Sequence, residues 1–84
     1  MATTANIKKD DIINHSLAIA SSVVNLPDER MWINYDREAD VMYLSFRKPQ
    51  RATKTIETED DILIRKDGNK IVGITIMNAS TRGN

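Results

Sequence analysis

The sequence predicts an α+β protein, with an N-terminal amphipathic helix followed by an antiparallel sheet of four or five strands. Three observations predict it. Apolar residues recur at spacings of four, three and four at Ile13, Leu17, Ala20 and Val24, which is the stripe of a helix that buries one side. From Met31 onward the period falls to two, the alternation of a strand. Asp67-Gly68-Asn69 then separates two β-branched runs, as in a tight hairpin.

In chain order, the first ten residues carry no periodicity and are expected to fray. Asp10 or Asp11 offers an N-cap, with its carboxylate placed favourably against the helix dipole. Ile12, Ile19 and Val23 widen the apolar stripe, and Asn25 and Pro27 stop the helix, giving residues 11–25. Residues 31–36 alternate as a strand, and residues 41–46 are β-branched and aromatic enough for a second. The polar residues between them predict a hairpin loop of about four residues. Residues 47–51 form a basic loop whose Pro49 marks a strand end or edge. Residues 54–59 alternate Thr and charge around Ile56, a weak strand that belongs at an edge. Residues 62–66 and 71–77 flank the Asp67-Gly68 turn, and the polar segment 78–84 is expected to be loose. Short local connections favour an antiparallel meander. The chain thus divides into a tail and helix (1–30), an antiparallel β domain (31–82) and a short tail (83–84).

Composition narrows the function. With 40% hydrophobic and 29% charged residues, an 84-residue chain folds as one small domain instead of staying disordered. The absence of Cys and the single His remove disulfides, thiolate zinc sites, iron–sulfur clusters and a multi-histidine metal site within one chain. Twelve Lys and Arg balance twelve Asp and Glu, so no overall field draws the isolated chain to nucleic acid or an anionic membrane. No apolar run approaches the roughly 20 residues of a membrane span, and the charged N-terminal segment has no signal-peptide core behind it. A cytoplasmic protein without cofactor, membrane contact or specific nucleic-acid binding of its own is expected.

Asp36, Glu38 and Asp40 form a carboxylate series at i, i+2 and i+4, which invites a divalent cation such as Ca²⁺ or Mg²⁺. The calcium-loop pattern fails at its Gly and its final acid, where Val41 and Arg47 stand. Turn chemistry is the favoured reading, with Asp36 bonding backbone amides and Glu38 facing water. Glu57, Glu59, Asp60 and Asp61 make an acidic cluster, and Arg47, Lys48, Arg51 and Lys54 a basic one. Both read as solvated or partner-facing surface, since neither has a cleft or a Gly-rich cradle beside it in sequence. His15 and the scattered serines lack the neighbours that make a nucleophile or base. Trp32, Tyr35, Tyr43 and Phe46 fall at alternating strand positions and are expected in the core and in cross-strand pairs. Gly68 supplies the positive φ of a tight turn, and Gly73, inside a strand, marks a bulge or the close approach of another group.

The run Tyr35-Asp36-Arg37-Glu38-Ala39-Asp40, the run Lys66-Asp67-Gly68-Asn69-Lys70-Ile71-Val72-Gly73-Ile74 and the following Asn78-Ala79-Ser80 together resemble a known family. It is the prokaryotic domain of unknown function family 2283, marked by a YDxExD hairpin and a DGxxVGI hairpin ending in Ala-Ser. The resemblance spans residues 31–82 and leaves the helix outside. The middle departs from the family pattern, with Arg47, Lys48, Arg51 and Lys54 where an acidic stretch is common, and with Asp60-Asp61 near an expected Gly. The resemblance implies a compact β-meander with no assigned catalytic activity, often encoded beside small toxin-like proteins. It assigns no catalytic residue. Asp36, Glu38 and Asp40 match its first hairpin, and Asp67, Gly68 and Gly73 its second.

Together these readings favour a non-enzymatic interaction module, similar to the antitoxin-like partner of a small toxin, with the acidic residues meeting a basic partner. The alternative is a small cation- or ligand-binding domain built on the Asp36/Glu38/Asp40 hairpin. A homodimer is also expected, because residues 41–46 and 71–77 read as apolar on both faces and one helix covers only one.

Overall fold

The computed structural model describes residues 9–82. Helix α1 (Lys9–Val23) precedes five strands, β1 (Trp32–Asp36), β2 (Val41–Ser45), β3 (Lys54–Glu57), β4 (Ile62–Asp67) and β5 (Lys70–Met77), and a 3-10 turn at Ala79–Thr81. The α+β expectation holds, with five strands in one antiparallel sheet. The helix begins earlier than predicted, so Asp10 and Asp11 lie in its first turn, where carboxylates still favour the dipole. It closes by tightening, with Asn25 N–H donating to Ser22 O and Leu26 N–H to Val23 O, ahead of Pro27, which cannot extend it. Of the segment expected to fray, residues 1–8 lie outside the described residues.

The strand order β1-β2-β5-β4-β3 corrects the plain meander at one step. β2 pairs with β5 instead of β3. The reason is hydrophobic. β5 carries Ile71, Val72, Ile74, Ile76 and Met77 and takes the centre, whereas β3 offers Ile56 alone among Lys, Thr and Glu and goes to the edge, as predicted.

The register sorts the side chains into two unlike faces. Ile33, Leu44, Ile74, Ile64 and Ile56 form one row across all five strands, and Tyr35, Met42, Ile76 and Ile62 the next on the same face. The opposite face carries Asn34, Tyr43, Thr75, Leu63 and Glu57 in one row and Trp32, Ser45, Gly73, Arg65 and Thr55 in another. The expectation of two apolar faces is therefore corrected: one is apolar and the other mixed. Val41, Leu44, Phe46 and Val72 are the buried core. Of the four aromatics only Phe46 belongs to it, and Trp32, Tyr35 and Tyr43 are 39–44% exposed. Alternation assigned them a face but not cover for that face.

Helix α1 stands over the β1–β2 side of the apolar face. His15, Ala18, Ile19, Ser22, Val23 and Leu26 face Met31, Ile33, Met42 and Leu44 across an open groove of about 440 Å³. No residue of α1 is buried. The predicted stripe divides: its flank, Ile19 and Val23, lines the groove, whereas Ile13, Leu17 and Val24 are exposed, Leu17 by 64%. Both parts of the stripe are apolar, and periodicity alone does not choose between them.

Candidate functional site

The β1–β2 hairpin is built on its own carboxylates. Asp36 accepts the Ala39 amide at 3.1 Å, a side-chain turn that replaces a missing backbone partner. Asp40 closes the loop with φ 56°, a conformation that Asp tolerates better than most residues. Its carboxylate is then fully engaged. Oδ1 accepts Tyr35 Oη–H at 2.6 Å and the Ser80 amide at 3.0 Å, while Oδ2 accepts the Ser80 hydroxyl at 2.8 Å. The Asp40 carbonyl takes the Ala79 amide at 2.9 Å. The hydrogen bond from Tyr35, then those from Ser80, hold the Asp40 carboxyl below its ordinary range. The same Asp40 bond, with partial burial and the carboxylate's charge, raises the Tyr35 phenol, against a smaller opposing effect of Arg37. The Arg37 guanidinium lies 5.7 Å from the Tyr35 ring centre.

This junction corrects the expectation of a loose C-terminal segment. Residues 79–81 form a turn docked on Asp40, and the cluster joins residues forty apart in sequence. Nor does one chain alone gather a ligand set for the cation reading. Asp36 and Asp40 already accept protein donors, and among the described residues no three His, Asp or Glu side chains come together to hold a metal ion.

The acidic cluster folds as the β3–β4 turn. Thr58 organises it by donating its hydroxyl to Ile62 O at 2.8 Å and accepting the Asp60 and Ile62 amides at 3.3 Å. Asp61 has φ 59° and gives its carbonyl to the Met77 amide. Arg82 donates to the carbonyls of Met77 and Asp60, tying this turn to the C-terminal segment. Glu57, Glu59, Asp60 and Asp61 are all exposed. The backbone here is structural, and the carboxylates face solvent.

The basic loop divides. Arg47 donates to Gln50 O at 2.9 Å and Arg51 O at 3.1 Å, and pairs with Asp67 at 2.7 Å. It staples its own loop to the β4–β5 hairpin, so its charge is already occupied, while the Arg51 side chain stays exposed. Asp67 therefore does more than lead a turn. Gly68 has φ 61° at the first position of a two-residue loop between Asp67 and Lys70, where glycine avoids strain. Gly73 lies beside a shift in the β4–β5 register, where Arg65 pairs with Gly73 and Lys66 with Ile71. It also answers to a close approach, by the Leu44 backbone carbonyl 3.0 Å from its Cβ position and by a side chain. A Cβ there would lie 2.0 Å from Gln50 Nε2, and that amide donates to Ser45 Oγ at 2.8 Å.

Sequence reasoning missed Tyr35, Gln50, Ser80 and Arg82, whose roles are contacts made across the fold. Tyr35 and Ser80 did carry a signal, since they stand with Asp40 in the two motifs. Among the described residues no helix is long and apolar enough to cross a membrane. A family model described as a protein of unknown function, DUF2283, matches residues 32–80. No curated protein and no solved structure matches the chain.

Proposed function

The chain belongs to the DUF2283 family of proteins of unknown function, and from that premise we propose that it is a non-enzymatic protein-interaction module that engages a small basic partner, in the manner of an antitoxin. One observation carries the reading. The mixed face of the sheet presents Trp32, Tyr43 and Met77, each more than a third exposed, beside the solvent-facing carboxylates Glu57, Glu59, Asp60 and Asp61. Large aromatics on a rigid sheet are the anchors that protein interfaces favour, and an acidic border steers a basic partner toward them. Tyr43 and Glu57 lie in one register row, about 14 Å apart at the usual strand spacing. The polar clusters with the most contacts, around Asp40 and Arg47, are satisfied internally, which supports a binding role over a catalytic one.

Binding of the chain to the products of neighbouring reading frames, measured by calorimetry, tests this. Trp32→Ala with Tyr43→Ala is expected to weaken such binding at least 100-fold while the melting temperature stays put. Reversing Glu59, Asp60 and Asp61 to Lys is expected to slow association and abolish its salt dependence. No binding by any neighbouring product, or binding that both variants retain, refutes the reading.

A further inference from the structure

Helix α1 is apolar over a broad arc of about half its circumference. At about 100° per residue, Ile19, Val23 and Leu26 turn toward the protein's own β1–β2 surface, where they line the groove. Ile13, Leu17, Ala20 and Val24 centre about 120° away from these three and are exposed, as are Ile12 and Ile19. Ser16 and Lys9 lie on one flank, with Asp10, Asn14 and Ser21 on the other. A helix with so wide an apolar arc has more surface to bury than one neighbour covers.

The sheet has room for a second helix. Strands about 4.8 Å apart make five strands roughly 19 Å wide, the width of two helices side by side at about 10 Å each. α1 takes the β1–β2 half. The other half, β5–β4–β3, carries Ile56, Ile62, Ile64, Ile74 and Ile76, all half-buried. That strip is one helix wide and its two rows hold no charged residue, although the C-terminal segment borders it, with Ala79, Ser80 and Arg82 beside Ile76.

We infer that the strip is covered by α1 of a second copy of this chain, in a two-fold dimer with two helices between two sheets. Each helix then sits on its own β1–β2 half by one part of its apolar arc and on the other copy's isoleucine strip by the rest. A two-fold axis satisfies both copies at once. The apolar side chains brought together include Leu17, 64% exposed, and Val24, 78% exposed, which in a standard interface of about 800 Å² per partner would be covered. A basic partner does not suit this strip, because its charges would be buried without counter-ions. The inference concerns the face opposite to Trp32 and Tyr43, so either proposal stands if the other fails.

Sedimentation equilibrium on the full chain is expected to give twice the 9.5 kDa chain mass at micromolar concentration. Leu17→Asp is expected to weaken the dimer at least 100-fold while the strand signal in circular dichroism is retained, since Leu17 makes no buried contact within one chain. The protein has no cysteine, which permits a second measurement. A chain carrying both Leu17→Cys and Ile64→Cys should oxidise to a covalent dimer, whereas Leu17→Cys with Thr75→Cys, on the opposite face, should not. A monomer at 100 µM, its strip covered from within the chain or by another protein, overturns the inference. So does a dimer indifferent to Leu17→Asp, or cross-linking through Thr75 instead of Ile64.

Discussion

Helix α1 and the sheet are held by different means. The side-chain hydrogen bonds within α1 and its C-terminal turn stay local, from Ser16 to Ile12 O, Ser21 to Ala18 O and Asn25 to Ser21 O. The sheet has local ones too, but adds others that reach across the chain, twenty residues from Arg47 to Asp67, twenty-two from Arg82 to Asp60 and forty from Ser80 to Asp40. The buried hydrophobic side chains follow the same division, with four in the sheet and its margin and none in the helix. The region with long-range ties is also the region that the family model matches. A sheet closed by its own distant contacts specifies itself, whereas a helix with only local bonds takes its position from whatever apolar surface meets it.

The comparison breaks or sharpens on a series of substitutions. Leu44→Ala in the core should cost about 2–5 kcal/mol, a large part of the stability of a domain this size at roughly 0.05–0.15 kcal/mol per residue. Denaturant unfolding followed by Trp32 fluorescence reads it. The same truncation at Leu17, measured at submicromolar concentration where single chains prevail, should change the midpoint little. Equal losses at the two sites would erase the distinction between sheet and helix.

Next in size is the Asp40 junction. Asp40→Ala should lower the melting temperature by about 5–10 °C, with Tyr35→Phe and Ser80→Ala each accounting for part. The pH profile carries a signature of its own. Asp40 is lowered from an ordinary carboxyl value of 3.8, so its contribution is complete above that pH and is lost as the pH falls through the lowered value. Tyr35 is raised from an ordinary value of 10.0, so its contribution is complete below that pH and is lost as the pH rises through the raised value. Thermal melts from acid to alkaline pH should show a plateau between these limits, with Asp40→Asn flattening the acid limb and Tyr35→Phe the alkaline one. Unchanged limbs would mean that the junction adds nothing to stability.

Gly73→Ala should cost about 1–2 kcal/mol, because the new methyl group displaces Gln50 from Ser45. Gln50→Ala in the same chain should recover part of that loss, and strict additivity in a double-mutant cycle would rule out the contact as the reason for glycine. The smallest effect belongs to Asp67→Asn, below about 1 kcal/mol for a half-exposed ion pair. Arg47→Ala should cost about twice as much, since it also releases two loop carbonyls.

The hairpins, the αL position at Gly68, the edge placement of β3 and the existence of α1 were all legible in the sequence, because each is decided by a few adjacent residues. Period two identifies a strand, Asp-Gly identifies a turn, and a strand bearing one isoleucine among Lys, Thr and Glu belongs at an edge. Even the need for glycine at position 73 could be read, though not that Gln50 creates it. Tertiary structure alone decided the rest: that β5 sits between β2 and β4, that Asp40 meets Ser80, that Arg47 is held by Asp67, and which side of α1 faces the sheet. Each of these joins residues distant along the chain, where sequence spacing carries no distance information. The helix is the clearest case. The two parts of its apolar arc satisfy the same periodicity, and only the surface against which it packs gives them different roles.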